Sequence, residues 1–169
     1  MIPRLPIDRS FTIKGFGAVA TGTLVAGEIN VADEMELLPG GRKVRVRGLQ
    51  THGKMVELTH AGQRTAVNLG GVEHTEIERG QTLAPVGILR STQIFDAEIE
   101  VLKDAKKSLK SRARVRVHVG TLEALARVQI INEKDENAQG EKGFVQFRLE
   151  TPVVVLPNER FIVRSYSPQ

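Results

Sequence analysis

The chain has 169 residues, of which 40% are hydrophobic and 26% charged, and its formal net charge is +4. Cysteine and tryptophan are absent and aromatic residues make up 4%, which excludes disulfides and thiolate metal sites and argues against a base-stacking platform for single-stranded nucleic acid. No apolar run approaches the roughly 18 residues of a membrane span, and no signal peptide precedes the first predicted strand, so the sequence predicts a cytoplasmic protein without membrane contact.

Apolar and polar residues alternate along most of the chain, which is typical of half-buried β-strands. In chain order, the alternating stretches are FTIKGFGAVATGTLVAGEI, KVRVRGLQTHGK, TAVNLGGV, FDAEIEVL, ARVRVHVG, ALARVQIIN, GFVQFRLETPVVV and ERFIVRSY. Gly, Pro, Asn and Asp separate these stretches, which predicts antiparallel sandwich or barrel architecture. The polar stretch NEKDENAQGEKG is predicted to be a long hairpin loop.

A boundary between two sets of strands falls in the stretch APVGILRSTQ. Its Pro, Gly and polar residues end the first set before a new strand begins at Phe95. The sequence therefore predicts two consecutive antiparallel β-barrels, over residues 1–90 and 91–169.

The early glycines Gly15 and Gly17 form a G-x-G motif, but a dinucleotide fingerprint needs a helix after the glycines. The residues that follow alternate as a strand does, and no G-x-x-x-x-G-K-[ST] occurs anywhere in the chain. These glycines are therefore predicted to permit a tight turn or bulge.

No catalytic constellation is recognisable in the sequence. Neither Ser10 nor Ser91 has a histidine in a nucleophile context, and the four histidines lack metal-ligand spacing. Glu98 and Glu100 lie two apart on one strand face, where carboxylates are usually just solvated. We therefore predict no catalytic residue and no metal site.

One segment is strongly basic. The run KDAKKSLKSRARVR, residues 103–116, contains seven basic residues and one acid. A clustered basic stripe favours a polyanionic partner such as nucleic acid, and the alternative is a solvated strand face.

Several motifs together resemble a known family. The stretch PIDRSFTIKGFGAVATGTLVAGEINVADEMELLP, followed by VRGLQTHGK, AGQR and IERGQTLA, resembles the second domain of translational GTPases. VRVHVGTLEALARV and VQFRLETPVVVLPNERFIVRSYSP resemble the third domain. The segments IDRSFTIKGFG, VRGLQTHGK and RFIVRSYSP are most similar to those of the selenocysteine-specific elongation factors, the SelB family. The fold implied is a domain II-type barrel followed by a domain III-type barrel.

The resemblance also implies what this chain does not contain. The family's G domain, with its phosphate loop and guanine-reading motif, has no counterpart here, so GTP and Mg²⁺ are expected to be bound by that domain and no cofactor by this chain. A closing strand and winged-helix domains follow in the family beyond Gln169. We therefore expect a non-enzymatic fragment whose second barrel lacks its last strand and exposes an edge.

In the family, the amino-acid end of the charged tRNA lies against the second domain. The residues implied for selenocysteine binding are Asp8, Arg9 and Arg64. Selenocysteine is largely anionic at neutral pH, whereas cysteine, with a pKa of about 8.5, is mostly neutral and serine wholly so. Two guanidiniums would favour the selenolate. The alternative is an ordinary surface ion pair, worth about 0–1 kcal/mol.

The third domain of translational GTPases contacts the sugar-phosphate backbone of the tRNA body. The residues of this chain implied for that contact are Lys106, Lys107, Lys110, Arg112 and Arg114. The implied partners are selenocysteinyl-tRNA and, through the parent factor, the ribosome and the selenocysteine-insertion mRNA hairpin. Two alternatives stay open: the equivalent barrels of a general translational GTPase, and a structural β module that relays nucleotide-driven domain movement.

Overall fold

A computed structural model describes residues 1–132 and 134–166. Their secondary structure is almost entirely β, so the all-β prediction is confirmed. The strands are β1 (Leu5–Ile13), β2 (Gly17–Thr23), β3 (Glu28–Asn30), β4 (Glu34–Leu38), β5 (Arg42–Thr51), β6 (Lys54–Val56), β7 (Leu58–His60), β8 (Arg64–Gly70), β9 (Thr82–Pro85), β10 (Thr92–Glu100), β11 (Leu109–Lys110), β12 (Arg114–Val119), β13 (Leu122–Ile130), β14 (Glu136–Asn137), β15 (Lys142–Val153) and β16 (Ile162–Ser165). A short 3-10 helix spans His74–Glu76.

The chain divides into two compact units, the first made of Met1–Ser91 with Gly120–Leu122, the second of Thr92–Val119 and Glu123–Gln169. Within the described ranges, no helix is long and apolar enough to cross a membrane.

The first unit is a closed antiparallel barrel. Its strands follow the order β4-β9-β1-β2-β8-β5, and pairing between β5 and β4 completes the circle. Two short additions flank it, β6 on the edge of β5 and the pair β3–β7. Alternate residues of the barrel strands point inward and fill the barrel with aliphatic side chains, among them Leu5, Ile7, Met35, Leu37, Val46, Val67 and Leu83. Leu24, after β2, and Ile29, on β3, belong to the same core.

The second unit is built on a five-stranded antiparallel sheet in the order β10-β15-β13-β12-β16. Three phenylalanines of this unit pack together: the ring centroids of Phe95, Phe147 and Phe161 are 5.2–5.7 Å apart, and two of the three pairs meet edge to face. In the part of the chain that the structure describes, no ladder joins β10 to β16. The absence of a closing strand stays a prediction.

The sequence predicted a long hairpin loop for the polar stretch at residues 132–143, but this stretch is not only a loop. It contains β14, which pairs with β11 so that Lys110 faces Glu136 and Leu109 faces Asn137. The Ser108 hydroxyl donates to the Glu136 carboxylate, and Asn137 is buried. A short ladder with side-chain hydrogen bonds therefore lies where the composition alone predicted a long hairpin loop.

Candidate functional site

A bulge in β1 sets the positions of Asp8 and Arg9. In the β1–β2 ladder Ile7 faces Gly22 and Arg9 faces Thr21, so Asp8 is one extra residue without a partner. Strict alternation would put Asp8 and Arg9 on opposite faces of the sheet. The extra residue cancels that alternation at this point.

The register of the next two strands brings Arg64 to the same face. Directly opposed residues of an antiparallel pair project to one side. Arg9 faces Thr21, Thr23 faces Arg64, and Thr21 and Thr23 are two apart on β2. All three candidate residues of the first barrel therefore lie on its outer face, on strands β1 and β8, which flank β2 on either side.

Asp8 and Arg64 form a two-pronged ion pair. Nη1 of Arg64 is 2.5 Å from Oδ2 of Asp8, and Nη2 is 3.1 Å from Oδ1. The Thr21 hydroxyl donates to Oδ1 of Asp8 at 2.9 Å. The Asp8 side chain is 19% exposed and that of Arg64 is 54% exposed, so the pair opens to solvent on the arginine side.

These contacts hold Asp8 in its charged form. The hydrogen bond from Arg64 is the main cause that lowers the pKa of Asp8, although partial burial acts in the opposite direction. The Thr21 hydroxyl and the charge of Arg9 lower it further. The same hydrogen bond raises the pKa of Arg64. Asp8 is therefore a carboxylate at neutral pH, and one of its oxygens accepts from two donors.

Side-chain hydrogen bonds hold the turn before β8, the strand that begins at Arg64. Oε1 of Gln63 accepts from the His60 backbone N–H at 2.8 Å and from the Thr59 hydroxyl at 3.1 Å. The buried hydroxyls of Thr59 and Thr65 are 2.7 Å apart. These hydrogen bonds hold the turn on both sides of Arg64, whose side chain reaches Asp8 on β1.

Arg9 is exposed, and among the described residues it forms no ion pair. Its charge nevertheless acts on Asp8. Because Asp8 offsets Arg64, the group of three has one uncompensated positive charge at its solvent side.

Close packing behind the bulge requires a glycine. A Cβ atom on Gly22 would lie 2.1 Å from the Pro6 carbonyl oxygen and 2.9 Å from Cδ2 of Leu5. A side chain at residue 22 would therefore force β1 away from β2 just before Asp8. Gly22 is part of what holds the bulge in place.

An apolar depression of about 210 Å³ lies on the same outer face. Its members on β2 and β8, Val19 and Ala66, are in register with Asn68 and Thr21 respectively. The exposed side chains of Phe16 and Met55 form part of its wall. Asn68 also lines the depression, and its Oδ1 is buried without a hydrogen-bond partner among the described residues.

Sequence reasoning missed this depression. Phe16 is 58% exposed and Met55 is 67% exposed, and each lies at or beside a hairpin tip where a polar residue is usual. An apolar residue next to turn glycines, as in K-G-F-G, is the signal that could have found it.

Four of the five predicted tRNA-contacting residues are exposed cations in the second unit. Lys106 and Lys107 lie in the segment before β11, Lys110 ends that strand, and Arg112 follows it. Lys110 and Arg112 line a polar depression of about 530 Å³, together with Lys134.

The fifth, Arg114, differs from these four. Its Nε and Nη2 each donate to the Glu150 carboxylate at 2.8 Å. Its guanidinium also lies over the Tyr166 ring, 4.6 Å from the centroid. The structure therefore pairs this cation within the unit instead of leaving it open.

Metal ligands are not assembled in the described ranges, 1–132 and 134–166. They contain no group of three or more His, Asp or Glu side chains with the arrangement of a metal site.

Comparison with known proteins identifies both halves of the chain. Residues 17–84 match the family described as Elongation factor Tu domain 2, and residues 96–169 match the family described as Selenocysteine-specific elongation factor, beta-barrel domain.

The similar proteins are much longer than this chain. A selenocysteine-specific elongation factor of Desulfomicrobium baculatum is 42% identical over 165 residues, which is 98% of this chain and 26% of that protein. One from Methanocaldococcus jannaschii is 30% identical over 172 residues, covering 95% of this chain and 37% of the relative. The crystal structure of bacterial selenocysteine-specific elongation factor EF-Sec matches with a TM-score of 0.83 at 25% identity, over 97% of this chain and 26% of that one.

Proposed function

Because residues 17–84 belong to the elongation factor Tu domain 2 family and residues 96–169 to the β-barrel family of selenocysteine-specific elongation factors, we propose that this chain is the part of such a factor that binds selenocysteinyl-tRNA. Its first barrel would bind the aminoacylated end and its second unit the tRNA body. The factor as a whole would act in the cytoplasm, with the ribosome and the selenocysteine-insertion mRNA hairpin as further partners. Binding and hydrolysis of GTP with Mg²⁺ would belong to another domain of that factor, so this chain would be non-catalytic.

The observation that supports the site is the exposed Arg9 beside the Asp8–Arg64 pair on one face. A selenolate bound there would meet the uncompensated positive charge of the group. Asp8 would accept a hydrogen bond from the free α-amino group of the aminoacyl ester. The apolar depression on the same face would receive the uncharged part of the aminoacylated end.

Discrimination between the selenocysteinyl and seryl esters would come from the free energy lost when the positive charge of the site has no bound anion. A seryl ester presents a neutral hydroxyl, which does not offset the one positive charge that Asp8 leaves uncompensated. A hydrogen bond to a charged group contributes about 1.5–3 kcal/mol, and a difference of 1.4 kcal/mol corresponds to tenfold in affinity. The charged site would therefore favour selenocysteinyl-tRNA over seryl-tRNA by at least about tenfold.

The test compares the affinities of selenocysteinyl-tRNA and seryl-tRNA for the complete factor that carries this chain. Arg9→Gln and Arg64→Gln each remove one charge from the site, and each should reduce the ratio of the two affinities about tenfold. Lys54→Gln is the matched control, since Lys54 is an exposed cation on β6 outside the group.

Two results would contradict the proposal in different ways. Equal affinities for the two tRNAs in the unmodified factor would favour a general elongation factor. A preference that persists in both arginine variants would leave the first barrel as a structural module that relays movement between domains.

The tRNA body would be contacted by Lys106, Lys107, Lys110 and Arg112, with Arg114 contributing less because Glu150 offsets its charge. Phosphate contacts are independent of base sequence and depend on salt. Neutralising three of the four exposed cations should weaken tRNA binding and flatten its salt dependence. An unchanged slope would remove this part of the proposal.

A further inference from the structure

The first barrel has a second charged surface, distinct from the Asp8–Arg64 group. Lys43, Arg45 and Arg47 occupy alternate positions of β5, and all three are exposed. Alternate residues of a strand project to one face, roughly 6.6–6.8 Å apart. We call these three side chains the β5 basic face.

These three cations are free of ion pairs, as far as the described residues extend. The strand on one side, β4, places Glu34 opposite Arg45 and Glu36 opposite Lys43. Glu36 is buried and accepts a hydrogen bond from the Gly87 backbone N–H at 2.9 Å. Glu34 is thus the one exposed acid among these neighbours on β4, and the β5 basic face keeps an excess of positive charge.

On the other side, β8 ends at Gly70 and Gly71 follows it, and these two glycines leave room for this face. A Cβ atom on Gly70 would lie 2.3 Å from Nε and 2.9 Å from Cζ of Arg47. The guanidinium of Arg47 therefore occupies the space where a side chain at residue 70 would stand. Gly70 and Gly71 line a depression of about 300 Å³ together with all three cations and Glu34.

We propose that the β5 basic face binds the sugar-phosphate backbone of double-stranded RNA. Three regularly spaced cations around an open depression with one acid, Glu34, match a repeating anion, whereas a small ligand needs an enclosed pocket. No aromatic side chain lines the depression, so base stacking, which single-strand binders use, is not offered. RNA is the expected polyanion because both units belong to translation-factor families.

The test measures binding of the whole chain to a fluorescein-labelled RNA duplex of mixed sequence, by fluorescence anisotropy over a series of KCl concentrations. The double variant Arg45→Gln/Arg47→Gln should bind about tenfold more weakly, and the slope of log K against log[KCl] should fall by about two. The matched control is Lys54→Gln/Arg90→Gln, which removes two exposed charges elsewhere in the first unit. A loss no larger than that of the control would overturn the proposal.

A second variant tests geometry without changing charge. Gly70→Ala displaces the Arg47 guanidinium, because the new methyl group takes its place. We expect a loss of roughly threefold in duplex affinity with an unchanged thermal unfolding midpoint. Wild-type affinity in this variant would show that the position of Arg47 is irrelevant, which contradicts a surface built for phosphates.

A competitor identifies the partner. When the two competitors are compared by their concentration of negative charges, unlabelled RNA duplex should displace the probe at a lower concentration than poly-glutamate does. Equal competition by poly-glutamate would assign the face to an acidic protein and overturn the RNA proposal. Because the duplex carries no amino acid, these outcomes are independent of whether Arg9 and Arg64 read a selenolate.

Discussion

Both units carry one strand whose outward side chains are basic, but the two strands differ in what lies beside them. In the first unit Lys43, Arg45 and Arg47 of β5 stand next to a strand end made of glycines. In the second unit Arg114 of β12 is paired with Glu150 and Arg116 with Glu123, and both lie near the Tyr166 ring. The basic run in the sequence includes β12, yet β5 has more cations without an ion-pair partner among the described residues. Local density of basic residues therefore does not measure available charge, which neighbouring strands decide.

The largest expected effect concerns what lies beneath these strands. Phe147 is fully buried within the aromatic group of the second unit, whereas the first barrel is filled by aliphatic side chains. Phe147→Ala should lower the free energy of unfolding by about 3–5 kcal/mol, because it leaves a large cavity. Urea denaturation measures it. Phe144→Ala is the control, since Phe144 lies on the same strand and is 62% exposed; equal losses in the two variants would refute a core centred on the aromatic group.

The second prediction converts the paired strand into an open one. Glu150→Gln removes the negative charge that offsets Arg114. Affinity for an RNA duplex should rise about threefold and the salt slope by about one, as for a newly available phosphate contact. The control is Glu98→Gln, which makes the same charge change at an exposed residue of β10. If the two variants bind alike, only net charge matters and the contrast between the two strands disappears.

A smaller effect tests how Asp8 is held. Thr21→Val removes the hydroxyl that donates to Oδ1 of Asp8 while keeping the side chain's shape. The loss of one hydrogen bond should cost about 0.5–1.5 kcal/mol, which thermal denaturation measures. Thr21→Ser restores the hydroxyl and should recover most of that stability; a serine variant as unstable as the valine variant would point to packing instead.

The smallest expected effect is on pH dependence. The Arg64 hydrogen bond lowers the pKa of Asp8, so the folded state favours the carboxylate more than the unfolded state does. This contribution is present above the unfolded pKa of about 3.9 and is lost as pH falls through the lower folded value. Wild type should exceed Asp8→Asn in stability by at most about 1 kcal/mol at pH 7, and the difference should vanish in acid. A difference that grows below pH 4 would contradict this assignment.

Much of the fold follows from the sequence because the alternation of apolar and polar residues has the period of a strand. That pattern predicts all-β structure throughout, and the short ladder inside the polar stretch at 132–143 escapes it. Its stability comes from contacts of Glu136 and Asn137 with distant residues, which a local pattern does not contain.

The candidate site is predictable only in part. The sequence nominates Asp8, Arg9 and Arg64 through a family resemblance, but not the ion pair between the first and the last, which depends on the register of three strands. It likewise marks Arg114 as one cation among several, since Glu150 lies 36 residues away along the chain. Partners distant in sequence fix which charges remain open.

The unpaired position of Asp8 makes this residue separable from the barrel that holds it. Leu5 and Ile7 point into the core before it, and Ser10, after it, donates to the Ile77 carbonyl oxygen at 2.8 Å. With Asp8 deleted, the flanking residues would still alternate between inside and outside in the correct phase. Deletion of Asp8 should therefore keep the alternation of β1 and the barrel core. Such a variant would have the same barrel without the carboxylate that pairs with Arg64.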